Sequence, residues 1–153
     1  MKLKLVIYLV CFISVAIIGC AVQKKETNLT VDKEIDVKRL IHDYFSKYPV
    51  NFKETTFKPE AYNKVFFIKK TLIENDLEGI LMDLEKNGWS LSDQADGYYY
   101  FCYGTNYSLG VVNPKNKKVF KNDGSEIKFF DYNSVNFTFS YLKYGIYSCL
   151  NNI

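Results

Sequence analysis

The sequence predicts an α+β fold: an antiparallel sheet of about five or six strands with two helices, at least one of them packed on a sheet face. Three observations carry this. Two stretches repeat apolar residues with the period of an amphipathic helix. After residue 89, short aromatic and β-branched runs alternate with Gly, Asn and Asp turn signals. Aromatic residues also crowd those runs, as half-buried strands favour.

The first helix is expected from Val37, Leu40, Ile41, Tyr44, Phe45 and Tyr48, which fall at i, i+3, i+4, i+7, i+8 and i+11. Asp32 or Asp36 can cap it and Pro49 ends it. Residues 50–63 read as irregular, with a break at Pro59. The run KVFFIKKTL (64–72) reads as a strand. The second helix follows in ENDLEGILMDLEKNGW, where Leu77, Ile80, Leu81 and Leu84 form one stripe. Asn75 with Glu78 has the spacing of a capping box, and Gly88 suits a left-handed end.

Trp89 begins an extended stretch. YYYFCY (98–103) and YSLGVV (107–112) flank Gly104-Thr105-Asn106, a three-residue hairpin loop. KKVF (117–120) and SEIKFF (125–130) flank the turn Asn122-Asp123-Gly124. VNFTFSYL (135–142) and YGIYSC (144–149) are expected to complete the series as a meander.

The chain opens with Lys2 and Lys4, followed by fourteen uncharged residues from Leu5 to Ile18. Such a core fits a signal peptide, whereas a spanning helix needs roughly 20 apolar residues. It ends in Ile17-Ile18-Gly19-Cys20, which resembles the lipobox of bacterial lipoproteins. The resemblance covers residues 1–20. It implies cleavage before Cys20, a diacylglycerol on its sulfur and acylation of the new amino terminus. Two or three acyl chains hold a protein firmly at a membrane, where one holds it only marginally. Ala21, in place of an aspartate, points to the outer membrane facing the periplasm if the host has one. The organisation expected is therefore a signal peptide at 1–19, lipidated Cys20 and a polar tether at 20–31, and one α+β domain over 32–153.

Cleavage would leave 134 residues with 18 basic and 17 acidic side chains. Lysines are scattered and Arg39 is the only arginine, so a nucleic-acid partner is not expected. Cys11 leaves with the signal and Cys20 carries lipid. Cys102 and Cys149 remain, in a compartment that permits a disulfide between them; two buried thiols are the alternative.

No catalytic constellation is visible. His42 is the only histidine and lies off the apolar arc of its helix. Asp93 and Asp96 lack the further oxygens of a calcium loop and read as a turn before Tyr98. The protein is not expected to be an enzyme, and no cofactor or metal is called for.

What stands out is that 24 of those 134 residues are Phe, Tyr or Trp. Side chains alternate along a strand, so Tyr98 to Tyr103 place aromatics on both faces. One face should lie under the helices, and some tyrosines of the other should stay exposed. Tyr99, Tyr103 and Tyr107 are the candidates for that contact surface. The function expected is a lipid-anchored, non-catalytic protein-binding module of the cell envelope. One concrete version is an immunity or inhibitor protein against a periplasmic toxin. The alternative is a structural, assembly or cell-wall glycan-binding lipoprotein.

Overall fold

The computed structural model describes residues 36–150, the side chains of 54–57 excepted, and these fall within one compact unit. Cys20, its lipobox, the tether and Asp32 lie outside the described residues. Among the described residues no helix is long and apolar enough to cross a membrane.

Helix α1 spans Val37–Phe45, and the Asp36 side chain caps it by accepting from the Lys38 backbone N–H at 3.2 Å. Its buried stripe is Val37, Leu40 and Phe45. Strand β1 (Asn51–Lys58) and strand β2 (Ala61–Lys69) then form a hairpin in which Lys58 pairs with Ala61. Residues 51–58 are thus a strand, not an irregular segment. A register shift between Glu54 and Thr56 breaks the alternation that marks a strand in sequence.

The β2 strand ends at Lys69, and the single turn α2 (Lys70–Ile73) replaces the expected strand end. Helix α3 covers Leu77–Lys86. Its N-cap is Asp76, with no side-chain cap bond, so the expected Asn75–Glu78 box is not formed. The Asp76 carboxylate instead accepts from the Tyr48 hydroxyl at 2.6 Å and pairs with Lys47 at 2.9 Å. That clasp ties the end of α1 to the start of α3. At the far end Gly88 adopts φ +92°, where side chains are strained. The turn carries Trp89 into the core, where it is 3% exposed.

Strands β3 (Ser90–Ala95), β4 (Tyr98–Tyr103) and β5 (Tyr107–Val112) follow as consecutive antiparallel neighbours. The β4–β5 loop is Gly104-Thr105-Asn106, with Tyr103 opposite Tyr107. Asp93 belongs to β3, so only Asp96 of the two carboxylates lies in the turn before Tyr98. Strands β6 (Val119–Phe120) and β7 (Glu126–Ile127) make a separate two-stranded sheet around the expected Asn122-Asp123-Gly124 turn.

The last strand, β8 (Ser134–Leu142), enters between β2 and β5. The six-stranded order is β1-β2-β8-β5-β4-β3, which is not a simple meander. Residues 144–149 do not form a strand. Both sides of β8 are already paired, so the chain after Leu142 has no neighbouring edge to join. Gly145 turns it at φ +89°, and it closes as the short helix α4 (Tyr147–Leu150).

Helices α1 and α3 cover one sheet face with a single apolar cluster. Phe45 of α1 sits 4.7 Å from Phe137 and 5.5 Å from Phe66, and these two strand rings stack at 4.7 Å. The opposite face carries a smaller cluster in which Val119, Ile127 and Phe129 pack on Tyr98 and Val112. A disulfide between Cys102 and Cys149, with Cα atoms 5.6 Å apart, fastens α4 over the same face.

Candidate functional site

The three tyrosines singled out from sequence lie on the helix-covered face. Tyr107 is only 6% exposed and packs 5.0 Å from Tyr141. Tyr99 and Tyr103 are half-buried against the same core. Tyr107 is therefore not a surface residue, and the expectation of exposure is corrected for it. The other face of β4 is not open either. Tyr98 lies under the small sheet, where burial pushes its phenol pKa well up. Cys102 is in the disulfide, and Tyr100 accepts from the Ser148 hydroxyl at 3.1 Å. Both sides of this strand are thus occupied by other parts of the chain.

Among the described residues, the two most exposed large apolar side chains stand just after β8. Tyr144 is 79% exposed, Tyr147 81%, Leu150 46% and Leu142 37%. Their backbone is fixed. The Leu142 N–H donates to the Asn106 carbonyl at 2.9 Å, Lys143 to Glu60 at 2.8 Å and Ile146 to Thr105 at 2.7 Å. The Asn106 side chain donates to the carbonyls of Leu142 and Lys143, both at 2.9 Å. At Gly145 an added Cβ would stand 3.2 Å from Leu150, so the turn packs closely on α4. Two large exposed tyrosines thus stand on a segment anchored by hydrogen bonds and by a disulfide. Tyrosine presents much contact area at little entropic cost, which suits a recognition surface.

A cleft opens at the same end of the sheet, where α1 passes Trp89 and the end of β4. It holds about 170 Å³ and is walled by Tyr44, Trp89 and Tyr103, with Arg39, Asp43 and Asn87 at its rim and Leu40 beneath. Trp89 and Tyr103 meet at an angle of 50° with ring centroids 5.4 Å apart. Gly88 allows this, since its missing Cβ would lie 3.3 Å from the Tyr103 ring.

The rim is charged. Arg39 Nε stands 3.5 Å from Asp43, one helical turn on. The hydrogen bond with His42 Nδ1, at 3.1 Å, holds the Asp43 carboxyl below the usual range, and Arg39 adds to this. Burial raises the Tyr44 phenol, helped by the negative fields of Asp43 and Asp83. Asn87 donates its amide to the Asp83 carbonyl at 2.7 Å.

Of these groups, sequence reasoning offered only Tyr103 as a contact residue. Tyr144 and Tyr147 were hidden because their segment reads as a strand. Arg39 and Asp43 carried a visible i, i+4 signal, but nothing in it pointed to Trp89. Asp93 accepts from Asn122 at 3.2 Å and Asp96 pairs with Lys115 at 2.7 Å. Among the described residues no three His, Cys, Asp or Glu side chains gather as metal ligands would. Compared with protein-family models, curated proteins and solved structures, the chain matches none.

Proposed function

We propose that this protein is a lipid-anchored envelope lipoprotein that acts as a non-catalytic module for binding another protein. The anchor is Cys20, on the strength of the lipobox-like Ile17-Ile18-Gly19-Cys20. The observation that carries the binding is the exposed Tyr144 and Tyr147, displayed on a backbone tied to Glu60, Thr105 and Asn106. A preorganised aromatic pair loses little freedom when a partner closes over it. An immunity or inhibitor protein against a periplasmic toxin would use a surface of this kind.

The test compares capture of partners from the native host by the wild type and by the Tyr144→Ser/Tyr147→Ser double variant. Because both side chains are exposed, the variant should keep its melting temperature. A partner retained by the wild type should bind the variant about thirtyfold more weakly, as loss of an aromatic hot spot implies. Equal retention by both proteins refutes this surface. Intact-mass analysis of the membrane-bound protein checks the anchor, and an unmodified Cys20 refutes it.

A further inference from the structure

The cleft between α1 and Trp89 has a chemistry of its own. Its walls are three aromatic rings, and its only carboxylate, Asp43, is held ionised by its neighbours. A cation already stands at that carboxylate, in the form of the half-exposed guanidinium of Arg39. Aromatic faces attract cations through the ring quadrupole, most strongly where several rings surround one site. Asn87 uses one amide N–H on Asp83, which leaves its other N–H and its carbonyl oxygen for a ligand. An anion would meet Asp43 at the rim and would find the one lining cation, Arg39, already paired with it. The rings a ligand can reach are those of half-buried Tyr44 and Tyr103, since Trp89 is almost wholly covered.

We propose that this cleft is a cation site that takes the ammonium group of a lysine side chain presented by the protein partner. The lysine source rests on the protein-binding reading above. Tyr103 borders the 104–106 loop that also anchors Leu142 and Ile146, so cleft and tyrosine patch flank one end of the sheet. A single partner seated on that end reaches both. Arg39 is then an internal competitor: it pairs with Asp43 in the free protein and must give way when the ligand ammonium enters.

Trp89 is the only tryptophan of the chain, so its fluorescence reports on the cleft directly. The probe is n-butylammonium chloride, titrated into the full chain at constant ionic strength. Controls are n-butanol, sodium acetate and N-acetylglucosamine. The expected result is a saturable change with the ammonium alone. Asp43→Asn should weaken it about tenfold, the scale of one lost charge beside a cation–π site. Arg39→Gln should tighten it by about threefold or more, because the competitor is gone. A response to n-butanol equal to that of the ammonium overturns the proposal, as does saturation by acetate or the sugar. Weaker ammonium binding in Arg39→Gln overturns it too. Should Asp43→Asn lose its fold, as circular dichroism would report, the direction of the Arg39→Gln change still decides. None of these readings needs the partner, so a negative result here is distinct from a negative capture experiment.

Discussion

The two faces of the central sheet are held by different physics. Under the helices, Phe45, Phe66, Phe137 and Phe139 are fully buried and pack as one apolar mass. Burial of this kind is non-directional and scales with area. On the other face the apolar cluster is small, and covalent and polar fasteners do much of the work. The disulfide pins α4, and buried Asn136 pins the loop before β8. Its side chain accepts from the N–H groups of Phe130 and Asp131, each at 3.1 Å, and donates to the carbonyls of Asp131 and Ser134 at 2.7 and 2.9 Å. An apolar core tolerates small shifts at a graded cost, whereas a bond network or a cross-link fails at a single residue. The exposed tyrosines sit on the segment that the disulfide and backbone hydrogen bonds hold in place.

The contrast can be broken first at its strong side. Phe137→Ala removes a ring that stacks on Phe66 and meets Phe45, and should cost about 3–5 kcal/mol in denaturant unfolding. A smaller loss would mean that the helix-covered face can collapse onto the cavity. The cross-link comes next. Cys102 and Cys149 are 47 residues apart, so Cys102→Ser with Cys149→Ser should cost on the order of 4 kcal/mol by the chain-entropy model. Hydrogen exchange should rise in residues 144–150 while the β2 and β8 amides stay protected. Uniform loss of protection would show that the two faces are one cooperative unit.

Asn136→Leu should cost about 1–3 kcal/mol, because it leaves the Phe130 and Asp131 N–H groups without their acceptor. Their amides should exchange faster than those of β5, and unchanged exchange would count against the Asn136 anchor. The smallest effect is on acid stability. The Ser134 hydroxyl and the Asn133 N–H hold the Asp131 carboxyl below its ordinary value. A lowered folded-state pKa adds stability above the unfolded value of about 3.9, and this is lost as pH falls through the lower folded value. Asp131→Asn should therefore reduce the steepness of acid unfolding in that window and leave its slope at neutral pH unchanged. Equal steepness in both proteins would remove Asp131 from the account.

Much of this division was legible in the sequence, and the gaps have physical causes. Helix α1 could be read because its apolar spacing is the same stripe that packs on the sheet. Strand β8 could be read from its alternation. Strand β1 could not, since a bulge interrupts the period of two on which such reading depends. Nor could α4: whether residues 144–149 pair depends on who already flanks β8, a question of sheet order that alternation does not encode. The same gap misplaced Tyr107. Alternation separated its two faces correctly but could not say which one the helices take. The cleft joins Tyr44, Trp89 and Tyr103 from separate segments, and no local pattern binds these three together.

The position of β8 has a consequence in the order of synthesis. Until residues 134–142 exist, the β1–β2 hairpin and the β3–β4–β5 meander share no neighbour, because β8 alone pairs with both. The sheet therefore closes only once β8 has been made, and the disulfide, which needs Cys149, closes after that. Long-range pairing of this kind folds slowly. For a chain proposed to leave the cell interior through a membrane, the delay is useful. The six-stranded sheet cannot close until this central strand has followed the other five.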